Sequence, residues 1–277
     1  MNSKIMKIAR YFGLKSIIRR SLRYRVFKIL KSDFEFEVNF YGLYYSGNLN
    51  NFIDRSVFFF GAHEKEQLEF SKKFIKNGLV IDCGANTGSH SLFYSVFAEK
   101  VLAIEASKVK AEELQSRILL NKISNIILIN CGVGSVDNML MPFYESQGDN
   151  EGVSSFVEDF SAQNSLSGKV LIRTLDSIID ELKIPKINYI KIDVEGFDYE
   201  VLKGARDIIK RDLPIIQIEF SPRDHENLEE FLSKNPMYEA KNLIVNRPFF
   251  VFNRHRGKAI EFNPRVRSEV LLLPKIV

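Results

Sequence analysis

Between residues 78 and 220 the apolar residues come in short, almost unbroken blocks with amphipathic helical patterns between them. The pattern predicts strands at 79–83, 100–105, 126–131, 187–193 and 214–219, and helices at 89–97, 108–121, 197–210 and 225–234. A strand that is apolar on both faces must be covered on both, and helices that follow each strand provide that cover when the strands run parallel. The expected fold is therefore α/β, a mostly parallel sheet with helices on both faces. From 134 to 174 the alternation gives way to Gly-, Ser- and Asn-rich sequence with strand-like pieces at 139–144 and 169–173, read as an insertion beside a substrate cleft. Segments 238–245 and 248–253 are expected to pair antiparallel at a sheet edge, and a helix is expected from Glu64 to Lys76.

Upstream, the alternating stretch "FEFEVNFYGLYYSG" at 34–47 suggests a hairpin. Residues 1–31 suggest a helix with Leu14, Ile18, Leu22, Val26 and Leu30 on one stripe. Ten of the 39 basic residues fall between Lys4 and Lys31, where no acid occurs, although the chain holds 35 acids. A basic arm on an acidic body argues against a nucleic-acid partner. The arm suits peripheral contact with an anionic membrane surface, or packing on the body or in a homo-oligomer interface. Two cysteines, Cys83 and Cys131, each at the end of an apolar run, read as reduced core thiols of a cytoplasmic protein, peripheral on the inner membrane face if the arm binds lipid. No apolar run reaches the length of a membrane span, and no uninterrupted signal core opens the chain.

The stretch "VIDCGANTGSHS", Val80 to Ser91, ends a strand in Asp82 and turns through Gly84, Asn86 and Gly88 into a helix. In an open parallel sheet, ligands bind beyond the carboxyl ends of the strands, where glycines allow close backbone approach. A P-loop needs Lys-Ser/Thr after its second glycine, and a dinucleotide loop needs G-x-G-x-x-G; this loop has neither. An acid ahead of the loop is awkward against pyrophosphate but suits an amine and a sulfonium, as in S-adenosylmethionine. The next strand ends in Glu105, where a carboxylate can accept both hydroxyls of a ribose diol. Alone, Asp82 could be a helix cap and Glu105 a surface acid. Together, at successive strand ends around a glycine loop, they point to a cofactor site. "CGVGS" ends the third strand, and Gly132 and Val133 are candidates for the adenine side.

Taken in order, "VIDCGANTG", "VLAIEAS", "NYIKIDVEGFDYEVLKGA" and "IIQIEFSP" resemble the FkbM family of S-adenosylmethionine-dependent methyltransferases across residues 78–245. The resemblance implies a Rossmann-like, seven-stranded class I methyltransferase domain, assigned to 51–277 behind an arm and short strands at 1–50. It also implies O-methylation of a hydroxyl on a saccharide, glycolipid or related small-molecule acceptor.

Methyl transfer to an alcohol is an in-line displacement in which the nucleophile loses a proton. "KIDVEG" places Asp193 and Glu195 at a strand end, two apart and so on one face if extension continues. The alternative for this pair is a helix N-terminus that favours acids. Glu219 ends the next strand and could bind substrate, pair with Lys191 or serve a structural ion pair. Asp193, Glu195 and Glu219 are the candidate catalytic residues. His90 and His225 are read mainly as helix-start residues, with approach to cofactor or substrate the alternative for His90 and proton acceptance the alternative for His225. The three carboxylates could alternatively hold magnesium or calcium, but no fixed ligand spacing is present and no metal is expected. The competing readings are a methyltransferase-fold binding protein at the membrane without turnover, and an NAD-linked oxidoreductase.

Overall fold

The computed structural model describes residues 33–146, 154–157, 164–246, 256–263 and 268–275. The helix expected over 1–31 and the strand expected over 248–253 lie outside these residues.

A hairpin, β1 (Glu35–Phe40) and β2 (Leu43–Asn48), leads into α1 (Phe52–Phe60) and α2 (Lys65–Ile75). Asn51 caps α1, its side chain accepting from the amides of Ile53 and Asp54. Strand–helix alternation follows as β3 (Leu79–Cys83), α3 (Ser89–Phe97), β4 (Lys100–Ile104), α4 (Lys108–Leu120) and β5 (Ile126–Ile129). A second, four-stranded sheet holds β6 (Gly132–Val133), β7 (Met139–Ser146), β8 (Ser154–Ser155) and β9 (Asn164–Arg173). The chain returns through α5 (Leu175–Glu181), β10 (Tyr189–Ile192), α6 (Asp198–Lys203), α7 (Arg206–Asp212) and β11 (Ile215–Phe220). It closes with α8 (His225–Lys234), β12 (Tyr238–Asn246), β13 (Arg256–Glu261) and β14 (Ser268–Pro274).

The main sheet runs β13-β12-β14-β11-β10-β3-β4-β5. Its contiguous strands β5, β4, β3, β10 and β11 are parallel, and β14, β12 and β13 add antiparallel beyond β11. The described sheet thus has eight strands where seven were expected. β12 pairs with β13 and β14, so its described partners differ from the 248–253 segment.

Alternation along β3 explains the two cores. Leu79, Ile81 and Cys83 face a cluster containing Val201, Ile209 and Leu228 of α6, α7 and α8. Val80 faces the other cluster, with Leu92 of α3, Leu114 of α4 and the hairpin residues Phe36, Val38 and Tyr45. The hairpin therefore shares its core with the parallel sheet. The helix expected over 197–210 is two helices, interrupted at Gly204, where a Cβ would lie 1.9 Å from the Gly134 carbonyl oxygen. That contact brings the start of the insertion against the α6–α7 break. Among the described residues no helix is long and apolar enough to cross a membrane.

Candidate active site

Chain order in the sheet changes direction at β3: β4 and β5 follow on one side, while β10 and β11 return on the other. Loops leaving strand ends diverge at such a point and open a crevice. A cleft of about 1010 Å³, counted to its open mouth, lies there, bounded by the glycine loop, the ends of β4 and β10, α1 and the second sheet.

Gly84 has φ +78°, and a Cβ on it would sit 1.9 Å from the Asp193 carbonyl oxygen. Only glycine lets the loop leave β3 while pressed against the end of β10. Asn86 is left-handed at φ 51°, its side-chain oxygen accepting from the Thr87 amide at 2.8 Å, and Gly88 opens α3. Glu105 braces this loop. Its Oε2 accepts from the Asn86 amide at 2.7 Å and its Oε1 from the Ser107 amide at 2.8 Å. A carboxylate has about four acceptor sites, so two protein bonds leave capacity for ligand hydroxyls in the cleft that Glu105 lines. Burial pushes the Glu105 carboxyl up, against Lys110 and the two amide bonds.

Asp82 is fully buried and does not line the cleft. Its Oδ2 accepts from the Ser91 hydroxyl at 2.6 Å, while Oδ1 has no hydrogen-bond partner among the described residues. It stands in register with Lys191 of β10. Lys191, 2% exposed, lies 2.9 Å from Asp193 Oδ2. Burial works against its charge, but Asp193, Asp82, Glu64 and Glu269 around it more than compensate and raise its pKa. Burial would likewise raise Asp193, yet Lys191 holds it below the usual carboxylate range. Lys191 thus pairs with Asp193, one of the outcomes left open for Glu219 having gone to another acid.

Strand β10 stops at Ile192, and Glu195 is left-handed at φ 49°. Extension does not continue through Glu195, but the turn brings both Asp193 and Glu195 to the cleft. Burial, then the neighbouring charges of Asp193, Glu219 and Asp198, push the Glu195 carboxyl up to about 8. Glu219 does not line the cleft; it is in register with Glu269 of β14 and acts on Glu195 through its charge. Gly132 and Val133 do line it. His90 lines it as well, buried with Nε2 3.5 Å from Glu64, and burial pushes its pKa well down, which makes it a neutral ring. His225 stands on α8 beside Glu229, outside the cleft lining. Phe52, Ile53 and His63, from α1 and the turn after it, and Lys110, Phe143 and Phe156 complete the walls. Sequence reasoning did not single these out, because no periodicity or motif marks them. Among the described residues no group of three or more His, Cys, Asp or Glu is placed to hold a metal ion.

A glycine loop after the first parallel strand, an acid at the end of the second and a cleft where chain order reverses define a Rossmann-like α/β fold. Residues 82–239 match the family described as "Methyltransferase FkbM domain", and the chain belongs to that family. It is 24% identical to "Methyltransferase 1" of Beauveria bassiana over 153 residues, 48% of this chain and 61% of that protein. Among solved structures, methyltransferase FkbM from Methylobacillus flagellatus aligns over 95% of this chain and 62% of its own, with 18% identity and a TM-score of 0.48. SMU.1697c from Streptococcus mutans, solved in complex with SAH, aligns over 76% and 96%, with 11% identity and a TM-score of 0.41. The chain spans about three-fifths of the length of the first two.

Proposed function

We propose that the protein is an S-adenosylmethionine-dependent O-methyltransferase acting on a hydroxyl of a saccharide, glycolipid or related metabolite. The observation that carries the reading is one cleft in which a braced glycine loop and Glu105 lie beside a high-pKa carboxylate, Glu195. The residues fit the cofactor: Gly84 forms a turn that no side chain could enter, and the buried Glu105 keeps acceptor capacity toward the cleft. Gly84, Asn86, Gly88, Glu105, Gly132 and Val133 would hold it, while Asp82 ties β3 to the first turn of α3 through Ser91. When bound, S-adenosylmethionine supplies a methyl group activated by its sulfonium. Glu195 is assigned as acceptor of the hydroxyl proton, because a carboxylate whose pKa is close to working pH is a far better base than Asp193, held low by Lys191. The Asp193–Lys191 pair orients the acceptor hydroxyl. The saccharide class is supported by the likeness of "IKIDVEG" and "VLKGA" to the FkbM family.

Incubation with methyl-labelled S-adenosylmethionine and a panel of cell-envelope saccharides is expected to label a hydroxyl acceptor. Labelling of RNA or protein in place of every saccharide would overturn the acceptor class. For the cofactor side, Glu105→Gln keeps one acceptor for the loop amides and removes the charge that receives the ribose hydroxyls. S-adenosylhomocysteine affinity should fall by about 1–3 kcal/mol in calorimetry, and the thermal midpoint should fall too, because one of the two amides then faces an NH2 group. Equal affinity in the two proteins would remove Glu105 from the site.

A further inference from the structure

We infer that Phe156, delivered by the inserted sheet, is a cofactor-contacting residue that presents its ring to the adenine of S-adenosylmethionine; the inference rests on the cofactor reading above. Three observations carry it. First, Phe156 is in the cleft wall together with Phe143, Gly132 and Val133 of the second sheet. The Phe143 and Phe156 centroids are 4.9 Å apart, and Phe197 supports Phe156 at 5.3 Å. A Cβ on Gly132 would fall 2.5 Å from Phe156 Cζ, so the absence of a side chain at 132 is what lets the ring lie against this backbone.

Second, β8, which Phe156 directly follows, is fastened to both sides of the cleft. Lys110, three residues into α4 and shortly after Glu105, donates to the Ser154 hydroxyl at 2.7 Å. The fully buried Ser155 donates to the Glu195 carbonyl at 2.7 Å and accepts from the Val157 amide at 3.0 Å. Third, the neighbouring groups have complementary tasks. Glu105 offers acceptors suited to ribose hydroxyls, and a flat apolar ring in the same wall offers what a purine face takes up. Base–aromatic stacking needs no particular hydrogen-bond pattern, which agrees with a wall built of Phe, Gly and Val.

The chain contains no tryptophan. Phe156→Trp therefore gives a fluorophore whose emission reports this position alone. S-adenosylhomocysteine and adenosine should change that emission, with the midpoint for S-adenosylhomocysteine equal to its calorimetric Kd, and homocysteine should not. Phe156→Leu, which keeps apolar bulk without the aromatic face, should weaken S-adenosylhomocysteine binding roughly 10- to 100-fold, the range for a lost stacking partner. Phe156→Tyr should restore it. A Leu variant that binds as tightly as wild type, or a Trp variant that binds with unchanged emission, overturns the assignment of Phe156 and leaves the cofactor reading standing. Wild-type protein that takes up no S-adenosylhomocysteine overturns the cofactor reading itself. If Phe156→Leu fails to fold, the Trp emission decides between the two.

Discussion

Arg117→Met is expected to lower unfolding free energy by about 3–5 kcal/mol, the cost of leaving a buried charge without its partner. Arg117 is 1% exposed on α4. Its Nη2 donates to Asp54 Oδ1 at 3.0 Å and also to Glu113. Its Nη1 donates to the Tyr45 hydroxyl at 2.9 Å and the Thr87 carbonyl at 2.6 Å, and its Nε to the Ser46 carbonyl at 3.1 Å. The guanidinium also lies 4.1 Å from the Tyr45 ring centroid. One side chain thus ties the hairpin, α1 and the glycine loop together, and the Asp54 carboxylate it neutralises is itself buried. Methionine fills much of the volume but removes the buried counter-ion of Asp54, which keeps only the Tyr45 hydroxyl and the Asn48 amide as donors. Urea denaturation measures the loss. Replacing the pair together, as Arg117→Met with Asp54→Leu, should cost less than the single change, since no lone charge remains. A single variant within about 0.5 kcal/mol of wild type would mean that water reaches Asp54. The Thr87 contact adds a second readout: S-adenosylhomocysteine affinity should fall with the loop's anchor even where the variant is folded.

Little of this network was legible in the sequence, and the reason is distance along the chain. Arg117 finds Tyr45 and Asp54 72 and 63 residues away, and periodicity over a helix cannot tell a buried arginine from an exposed one. By contrast, β3, α3 and α8 match the predicted 79–83, 89–97 and 225–234, because their apolar spacing is local and their ends are marked by glycine or turn residues. The break at Gly204 needed knowledge of where the Gly134 carbonyl would lie. Glu195 was readable as a candidate from "DVEG", but its separation from Asp193 in basicity was not. That difference comes from Lys191 on one side and, on the other, from the burial of Glu195 and then the charges of Asp193, Glu219 and Asp198, groups assembled from the ends of β10 and β11 and the start of α6. Phe156 sits in a segment with no alternation at all, so only the fastening of β8 at Lys110 and Glu195 reveals it.

With a competent acceptor, Glu195→Gln should lower kcat by about 10²- to 10⁴-fold, the usual worth of a positioned base. S-adenosylhomocysteine affinity should stay near wild type, since Glu195 is reached from the β10 side of the cleft. In the wild-type enzyme the base is competent only when deprotonated. With its carboxyl pushed up to about 8, kcat/KM should rise through a limb centred there, and the Gln variant should lack that limb. Asp193 is among the charges that lift Glu195, so Asp193→Asn should move the limb to lower pH. This sign separates tuning from direct base action: if Asp193 were itself the base, its Asn variant would lose the limb altogether. Stability carries the same signature. Between the ordinary carboxyl value of 4.5 and about 8, the folded protein holds a proton on Glu195 that the unfolded chain has released. Unfolding free energy contributed by this group is therefore complete below that window and declines as pH rises through it. Glu195→Gln should flatten this part of the stability–pH curve and leave the protein relatively more stable above pH 8. Wild-type turnover and an intact limb in the Gln variant would place the proton acceptor elsewhere in the cleft, with His63 of the α1–α2 turn the next group to replace.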